Sequence, residues 1–272
     1  KKYLLSYLEI IKMISLILPV FNNHYSIFMV FQSIKKNLTS NDELIIVDDH
    51  STDGTWEILK SLKAKHYEFN FKLFRNRKNL GISPSLNFCI KNATKQYIAR
   101  HDGDDIMILG RLDHQLKLMQ NNCEIDLLTS ERLIFKSYEN IKSFPKISKN
   151  LKIPRKIDKN SMAVNNLVAH PTLFCKASIL KQNLYDTSYN CDGEDYQLWL
   201  RLVKKEYKFF KDKTNVIMYY ENNNKNKLIK QFIGSIRARL SLTSIFKPIF
   251  SIYLLKGSLF DFLRIIRRIF AK

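Results

Sequence analysis

The stretch DELIIVDDHSTDGTWEILKSLKAK, residues 42–65, is where the fold becomes readable. Its aliphatic run Leu44–Val47 suits a buried strand. A polar bend with Gly54 follows, and TWEILKSLKAK then spaces its apolar residues for a helix that Asp53 or Thr55 can cap. The pattern repeats outward. Upstream, MISLILPV (13–20) is a short apolar run closing near a proline, and YSIFMVFQSIKKN (25–37) has helical spacing. Downstream come FNFKLFRN (69–76) as a strand, SPSLNFCIKNA (83–93) as a helix with Pro84 in its first turn, and KQYIARHD (95–102) as a fourth strand. The order β-α-β-α-β-α-β predicts right-handed crossovers and a mostly parallel sheet.

All strand carboxyl ends of such a sheet meet at one edge, whose crevice is where these folds bind ligands. The residues delivered there are Pro19 to Asn23, Asp48 and Asp49, Arg75 and Asn76, and Asp102 to Asp105. After LGRLDHQLKLMQNN (109–122), a helix, the alternation stops. DLLTSERLIF (126–135) reads as a strand, residues 140–165 as a polar, Lys-rich connector, and HPTLFCK (170–176) as an extended segment. GEDYQLWLRLVKKEY (193–207) is a helix with Leu198, Trp199, Leu202 and Val203 on its buried side. This second half is expected to be α+β and to pack over the crevice.

The chain of 272 residues carries 45 Lys and Arg against 25 Asp and Glu, a formal net charge of +20. The excess is uneven: residues 225–272 hold cations including Lys225, Lys230, Arg237, Arg239, Lys256, Arg264 and Arg267, against Asp261 alone, interleaved with apolar residues such as Ile233, Leu240, Leu254 and Phe262. Such a basic amphipathic segment suits an anionic membrane surface; its plain alternative is a helix pair packed on the rest of the protein with a solvated basic face. Cys89, Cys123, Cys175 and Cys191 have neither zinc-site nor disulfide-scaffold spacing and read as reduced thiols of a cytoplasmic protein. No apolar run reaches the roughly 20 residues of a membrane span, and the charged N-terminal stretch does not resemble a signal peptide.

Against this basic background, ARHDGDD (99–105) crowds Asp102, Asp104 and Asp105 onto one bend. A solvated turn neutralised by Arg100 and Arg111 is one reading; a bound hard cation is the other. The second acidic pair, Asp48 and Asp49, arrives at the same edge from another strand. Oxygen ligands without His or Cys favour Mg²⁺ or Mn²⁺ shared with a substrate phosphate, and the other carboxylates could accept hydrogen bonds from a base or ribose.

Taken in order, ISLILPVFN, IIVDDHSTDGTWEIL, RNRKNLGISPSLNFCIKNATKQYIARHDGDDIMILGRLDHQ and GEDYQLWLRL resemble the family 2 glycosyltransferases with a GT-A fold, over residues 12–205. The resemblance implies an α/β protein with a Rossmann-like nucleotide-binding half (12–122), an acceptor and catalytic-base half (123–224) and the basic tail (225–272). It also implies inverting transfer of a hexose or N-acetylhexosamine from a UDP-sugar to a hydroxyl of a bacterial surface glycan: a lipopolysaccharide, O-antigen or capsule acceptor, lipid-linked at the inner face of the cytoplasmic membrane. Asp102-Gly103-Asp104 match the DxD motif, with Asp104 on Mn²⁺ or Mg²⁺ and Asp102 near the ribose or the metal. Asp48 and Asp49 match the pair around uracil and ribose, beside Pro19, Val20 and Asn22; Arg75, Asn79, Gly81 and Arg100 join that donor set. Glu194-Asp195 match the acidic pair whose Asp is the general base, and His170 and Trp199 are expected on the acceptor side.

The Q-x-x-R-W motif of processive relatives is absent, which predicts one transfer per encounter. Leu86 stands where many relatives carry a basic residue. Other readings have less support. A nucleotidyltransferase needs a Gly-rich basic loop after the first strand, and PVFNNHYS has no Gly; a dehydrogenase needs G-x-G-x-x-G. A nucleic-acid-binding module is suggested by the charge alone, and the acidic crevice argues against that partner.

Overall fold

The computed structural model describes residues 14–147, 153–189, 193–221, 225–242 and 248–270. Met13, Cys191, Phe246 and Lys247 lie outside them. The predicted alternation is present: β1 (Ile14–Val20), α1 (Ile27–Lys35), β2 (Glu43–Asp48), α2 (Thr55–Lys63), β3 (Asn70–Arg75), α3 (Ile82–Asn92) and β4 (Tyr97–Arg100). These strands pair in the order β3-β2-β1-β4, all parallel. Every residue of β1 and β2 is buried, because helices cover both faces. Alternate side chains sort to opposite sides: Leu16, Leu44 and Ile46 pack with α1 and α2, whereas Ile17, Ile45 and Val47 pack with α3.

The register aligns the functional ends. Val20 lies opposite Asp48, which lies opposite Arg75, and Ile17 opposite Arg100. The chain reverses its order of strand addition at β1, so loops from β1, β2 and β4 flank one crevice.

The remaining elements are β5 (Ile106–Met107), α4 (Arg111–Asn121), β6 (Leu127–Phe135), β7 (Arg155–Lys156), α5 (Lys159–Val164), β8 (Phe174–Lys176), α6 (Ala177–Gln182), α7 (Glu194–Lys204), β9 (Phe209–Tyr220), α8 (Lys225–Leu240) and α9 (Pro248–Phe270). They extend the same sheet in the order β4-β8-β6-β9-β5, with antiparallel pairing at β4–β8, β8–β6 and β9–β5. Two expectations change here, and one strand is added. The connector 140–165 contains β7 and α5. His170–Thr172 forms a 3-10 turn ahead of β8. Beyond α7, β9 is a central strand that pairs with β6, β5 and β7.

The last two helices pack on α5 and α7 and on each other. Arg239 is buried at their junction: it donates to the carbonyls of Ala163 (2.9 Å) and Val164 (2.8 Å), to the Tyr196 hydroxyl (3.1 Å) and to Asp261 Oδ2 (2.6 Å). Cys89 and Cys175 are buried free thiols and Cys123 an exposed one. No helix among the described residues is long and apolar enough to cross a membrane.

Gly193 opens α7 at φ +82°, and a Cβ there would sit 2.6 Å from the Gly234 carbonyl carbon of α8. Gly193→Ala is expected to cost about 1–3 kcal/mol, from the left-handed backbone and the clash together. Urea unfolding measures it, and an unchanged midpoint would show that α8 is not seated there.

Candidate active site

Asp102 follows β4 and is gripped by the buried Arg100: Nη1 donates to Oδ2 at 2.6 Å and Nη2 lies 2.5 Å from Oδ1. Ligand oxygens of Asp102, Asp104 and Asp105 all fall within 4.8 Å of one another. Asp105 is fully buried; its Oδ1 accepts from the Tyr220 amide (3.0 Å), while its Oδ2 has no partner among the described residues, as is also true of Arg100 Nε. Burial, with the charges of Asp102 and Asp104 beside it, pushes the Asp105 carboxyl well above the usual aspartate range. A second positive charge at this bend would reverse that penalty, and an all-oxygen donor set fits Mg²⁺ or Mn²⁺. Asp105 therefore joins Asp102 and Asp104 as a candidate ligand; it stood in the quoted motif without an assigned role.

The bend is held from behind. Arg111 donates to the Arg100 carbonyl (2.8 Å), to His101 Nδ1 (3.0 Å) and to Gln115 Oε1 (2.9 Å). His101 Nε2–H can then donate to the Asp105 carbonyl (3.1 Å). Burial beside two guanidinium groups holds His101 neutral. Arg111 thus braces the backbone, and the carboxylate partner is Arg100. In front, Gly103 packs against loop 1: a Cβ would lie 2.5 Å from Asn23 Oδ1 and 3.1 Å from Val20 Cγ1.

At the end of β2 the two aspartates differ. Asp48, buried, pairs with Arg75 Nε at 3.1 Å and accepts from the Ser51 amide at 3.3 Å; burial raises its pKa. Arg75 stacks on Trp56 at 5.1 Å and donates to the Ser51 carbonyl. Asp49 is engaged by the chain itself, accepting from Asn76 Nδ2 (2.6 Å) and from the amides of Leu80 (2.9 Å) and Gly81 (2.7 Å). It staples the 76–81 loop to the sheet, with Asn79 exposed on that loop. Asn22, at φ +53°, ties loop 1 to loop 2 through its amide to Ser51 Oγ (3.0 Å) and by accepting from the Thr52 amide (3.0 Å). Pro19 and Val20 are buried in the last positions of β1, and Leu86 is in the core.

Across the crevice, Glu194 and Asp195 begin α7. Burial and the neighbouring charge push the Glu194 carboxyl up to about 8, which keeps it protonated near neutrality. Asp195 is partly exposed; its Oδ2 accepts from Asn166 Nδ2 (3.1 Å) and its Oδ1 from the Tyr196 amide (2.6 Å). These donors favour its charged form, so Asp195 is the member that ionises, although burial still holds it above the ordinary value. The Arg100 and Asp102 charges act on both residues, so the two acidic groups share one field. Asn166 carried no signal in the sequence; it lies two residues beyond the Val164 carbonyl that Arg239 holds.

His170 and Trp199, expected on the acceptor side, are both buried below the crevice. His170 Nε2 is 2.8 Å from the Tyr185 hydroxyl, and Trp199 packs edge-on against His170 with no exposed surface. Burial keeps His170 neutral. Their positions suit support of the floor, because Trp199 has no exposed surface to offer an acceptor and His170 is buried with its Nε2 on the Tyr185 hydroxyl.

The profile of glycosyl transferase family 2 matches residues 15–184. The chain belongs to this family. It is 35% identical over 204 residues to the O-antigen biosynthesis glycosyltransferase WbnJ of Escherichia coli, covering 73% of this chain and 74% of WbnJ. It is 28% identical over 195 residues to the UDP-Glc:alpha-D-GlcNAc-diphosphoundecaprenol beta-1,3-glucosyltransferase WfgD of Escherichia coli, covering 71% and 70%. Among solved structures it resembles the mannosyltransferase PcManGT of Pyrobaculum calidifontis in complex with GDP-Man and Mn²⁺, at TM-score 0.72 and 14% identity, over 94% of this chain and 73% of that one. That likeness carries the fold, GT-A. The family 2 transferase expected from the motifs is thereby shown.

A base role for Asp195 would make turnover fall on the acid side through a pKa above the usual 3.8 of aspartate, because burial raises its pKa. Asn166→Ala removes a donor to that ionised form and should move the acid limb to higher pH. A pH profile of kcat unchanged by the substitution would assign Asn166 a merely structural place.

Proposed function

We propose that the protein is an inverting, metal-dependent transferase that moves a hexose or N-acetylhexosamine from a UDP-sugar to a hydroxyl of a lipid-linked bacterial surface glycan, once per encounter. The observation that carries this is the facing of two acidic groups across one crevice: a three-aspartate bend suited to a cation, and a partly exposed carboxylate oriented by Asn166. The relative WfgD, named for a UDP-Glc donor and a diphosphoundecaprenol acceptor, supports the same substrate classes.

In this reading Asp104, with Asp102 and Asp105, holds Mn²⁺ or Mg²⁺; such an ion, when bound, offsets the charge that grows on a departing diphosphate. Asp48 and Arg75 line the nucleoside end, while Asp49, Asn76 and Gly81 keep that end shaped. Arg100 fixes Asp102 for the ribose or the ion. Asp195 takes the acceptor hydroxyl proton as the oxygen attacks the anomeric carbon. One base suffices for one displacement, and one displacement inverts the centre. Glu194, neutral, leaves Asp195 as the single charge at the start of α7, where the helix dipole favours it.

The inner face of the cytoplasmic membrane is the proposed location. On α9, Ile252, Leu255, Leu259, Leu263 and Ile266 follow one helical face and are 37–63% exposed, opposite the buried Leu254 and Asp261. Lys256 and Arg267 are exposed beside them, whereas Arg264 pairs with Asp261 at 2.7 Å. Apolar burial in the headgroup layer plus about 1 kcal/mol per cation near anionic lipid would hold the protein there.

Asp104→Ala should abolish Mn²⁺-dependent UDP binding in calorimetry; retained binding would remove the metal assignment. Asp195→Asn should keep donor affinity and lower kcat by about 10²–10⁴-fold, and wild-type turnover would place the base elsewhere. Leu255→Glu with Leu259→Glu, both at exposed positions, should release the full chain from phosphatidylglycerol vesicles in a flotation assay. Undiminished flotation would exclude α9 as the docking face.

A further inference from the structure

Between the 186–189 loop, α7, α8 and α9 lies an open cavity of about 980 Å³, which the proposed reaction does not use. Its size is at the upper end of the roughly 300–1,000 Å³ of small-molecule sites. Its lining is dominated by apolar side chains of α8 and α9, among them Ile233, Leu240 and Phe262, each half-exposed. Exposed apolar surface that a fold leaves in a concave wall marks a place where something apolar binds.

Two features say what. The cavity holds Arg201 and Arg237 against a single acid, Asp186, whose carboxylate already accepts from the Ser188 amide (2.9 Å) and hydroxyl (2.8 Å). Arg201 uses Nε on Gln197 (2.9 Å) and Nη2 on the Leu184 carbonyl (2.6 Å), which accounts for two of its five donors. Arg237 stacks on Tyr189 at 4.6 Å, a contact with the guanidinium face that leaves its in-plane donors for an anion. The second feature is position. Gln197 and Arg201 stand three and seven residues after Glu194, on the same face of α7, so the cavity lies along the helix that opens with the acidic pair. At its other side Phe262 belongs both to the cavity wall and to the exposed surface of α9.

We propose that this groove seats the hydrocarbon chain of the lipid-linked acceptor, with Arg201 and Arg237 receiving the phosphate that joins lipid to glycan. The inference rests on the lipid-linked acceptor proposed above. An apolar trough with two cations matches a chain bearing a phosphate, and its place between the exposed face of α9 and the helix that begins with Glu194 and Asp195 matches an acceptor whose lipid stays at the bilayer.

The test uses the full chain and soluble probes: farnesyl phosphate, farnesol and inorganic phosphate, titrated calorimetrically without membranes. Farnesyl phosphate should bind at least tenfold more tightly than either of the others. Ile233→Asp with Leu240→Asp should weaken it by tenfold or more, and Arg237→Ala should narrow its advantage over farnesol. The α9 surface variant Leu255→Glu with Leu259→Glu should bind it normally, separating the groove from bilayer docking. Equal binding by the Ile233/Leu240 variant, tight binding of inorganic phosphate alone, or a dimer by sedimentation that these substitutions dissolve would each overturn the proposal. Mn²⁺-dependent UDP binding, measured on the same samples, reports the donor site independently: intact donor binding with no lipid phosphate binding defeats the groove alone, and loss of donor binding in the wild type defeats the transferase reading.

Discussion

The buried Arg100–Asp102 pair is the interaction on which the site depends. A carboxylate at the end of an interior strand is costly unless a cation meets it, and a lone guanidinium at that depth is costlier still. With both Asp102 oxygens held by Arg100, the bend can carry two further aspartates without the whole loop turning to solvent. The same guanidinium acts on Glu194 and Asp195 from across the crevice and depresses the basicity of His170 below it. One fixed positive charge therefore reaches two acidic groups that come from opposite halves of the chain and lowers carboxyl pKa values that burial raises.

Those halves share one sheet. β8 continues from β4, antiparallel, so the strand that ends in the acidic bend and the strand that leads toward α7 are bonded neighbours. This explains how Asp195, more than 90 positions beyond Asp102, is brought into its field without a hinge. Arg239 adds a second tie. By gripping the backbone at Ala163 and Val164, the Tyr196 hydroxyl and Asp261, it couples the C-terminal helices to the segment that supplies Asn166. Burying a cation among satisfied acceptors rigidifies that junction. The basic tail is consequently packed onto α5 and α7, and the outer face of α9 and the groove along α8 remain for other contacts.

The chain shows both how far pattern reading reaches and where it stops. β1 to β4 and their helices were legible because β1, β2 and β4 are buried throughout and each helix buries one face, so the periods are clean. β9 was not: Lys211, Asp212 and Lys213 interrupt its apolar pattern, and its partners are far away in sequence. Asp212 is buried with the Thr214 hydroxyl at 3.1 Å and His114 of α4 at 2.7 Å, the latter a compensation invisible along the chain. Trp199 misled for the opposite reason. An aromatic residue near an acidic pair reads equally well as a binding platform or as core, and packing alone separates them.

The sequence by itself determined the parallel half, the family and the positions of the acidic motifs, since local periodicity and ordered motifs survive without knowledge of contacts. Tertiary structure decided which carboxylates are engaged and by what: Asp49 committed to the 76–81 loop, Asp105 drawn into the acidic bend, Asn166 brought to Asp195, and His170 sealed beneath the floor. Hydrogen-bond partners and burial are relations between residues distant along the chain, and only the folded arrangement fixes them.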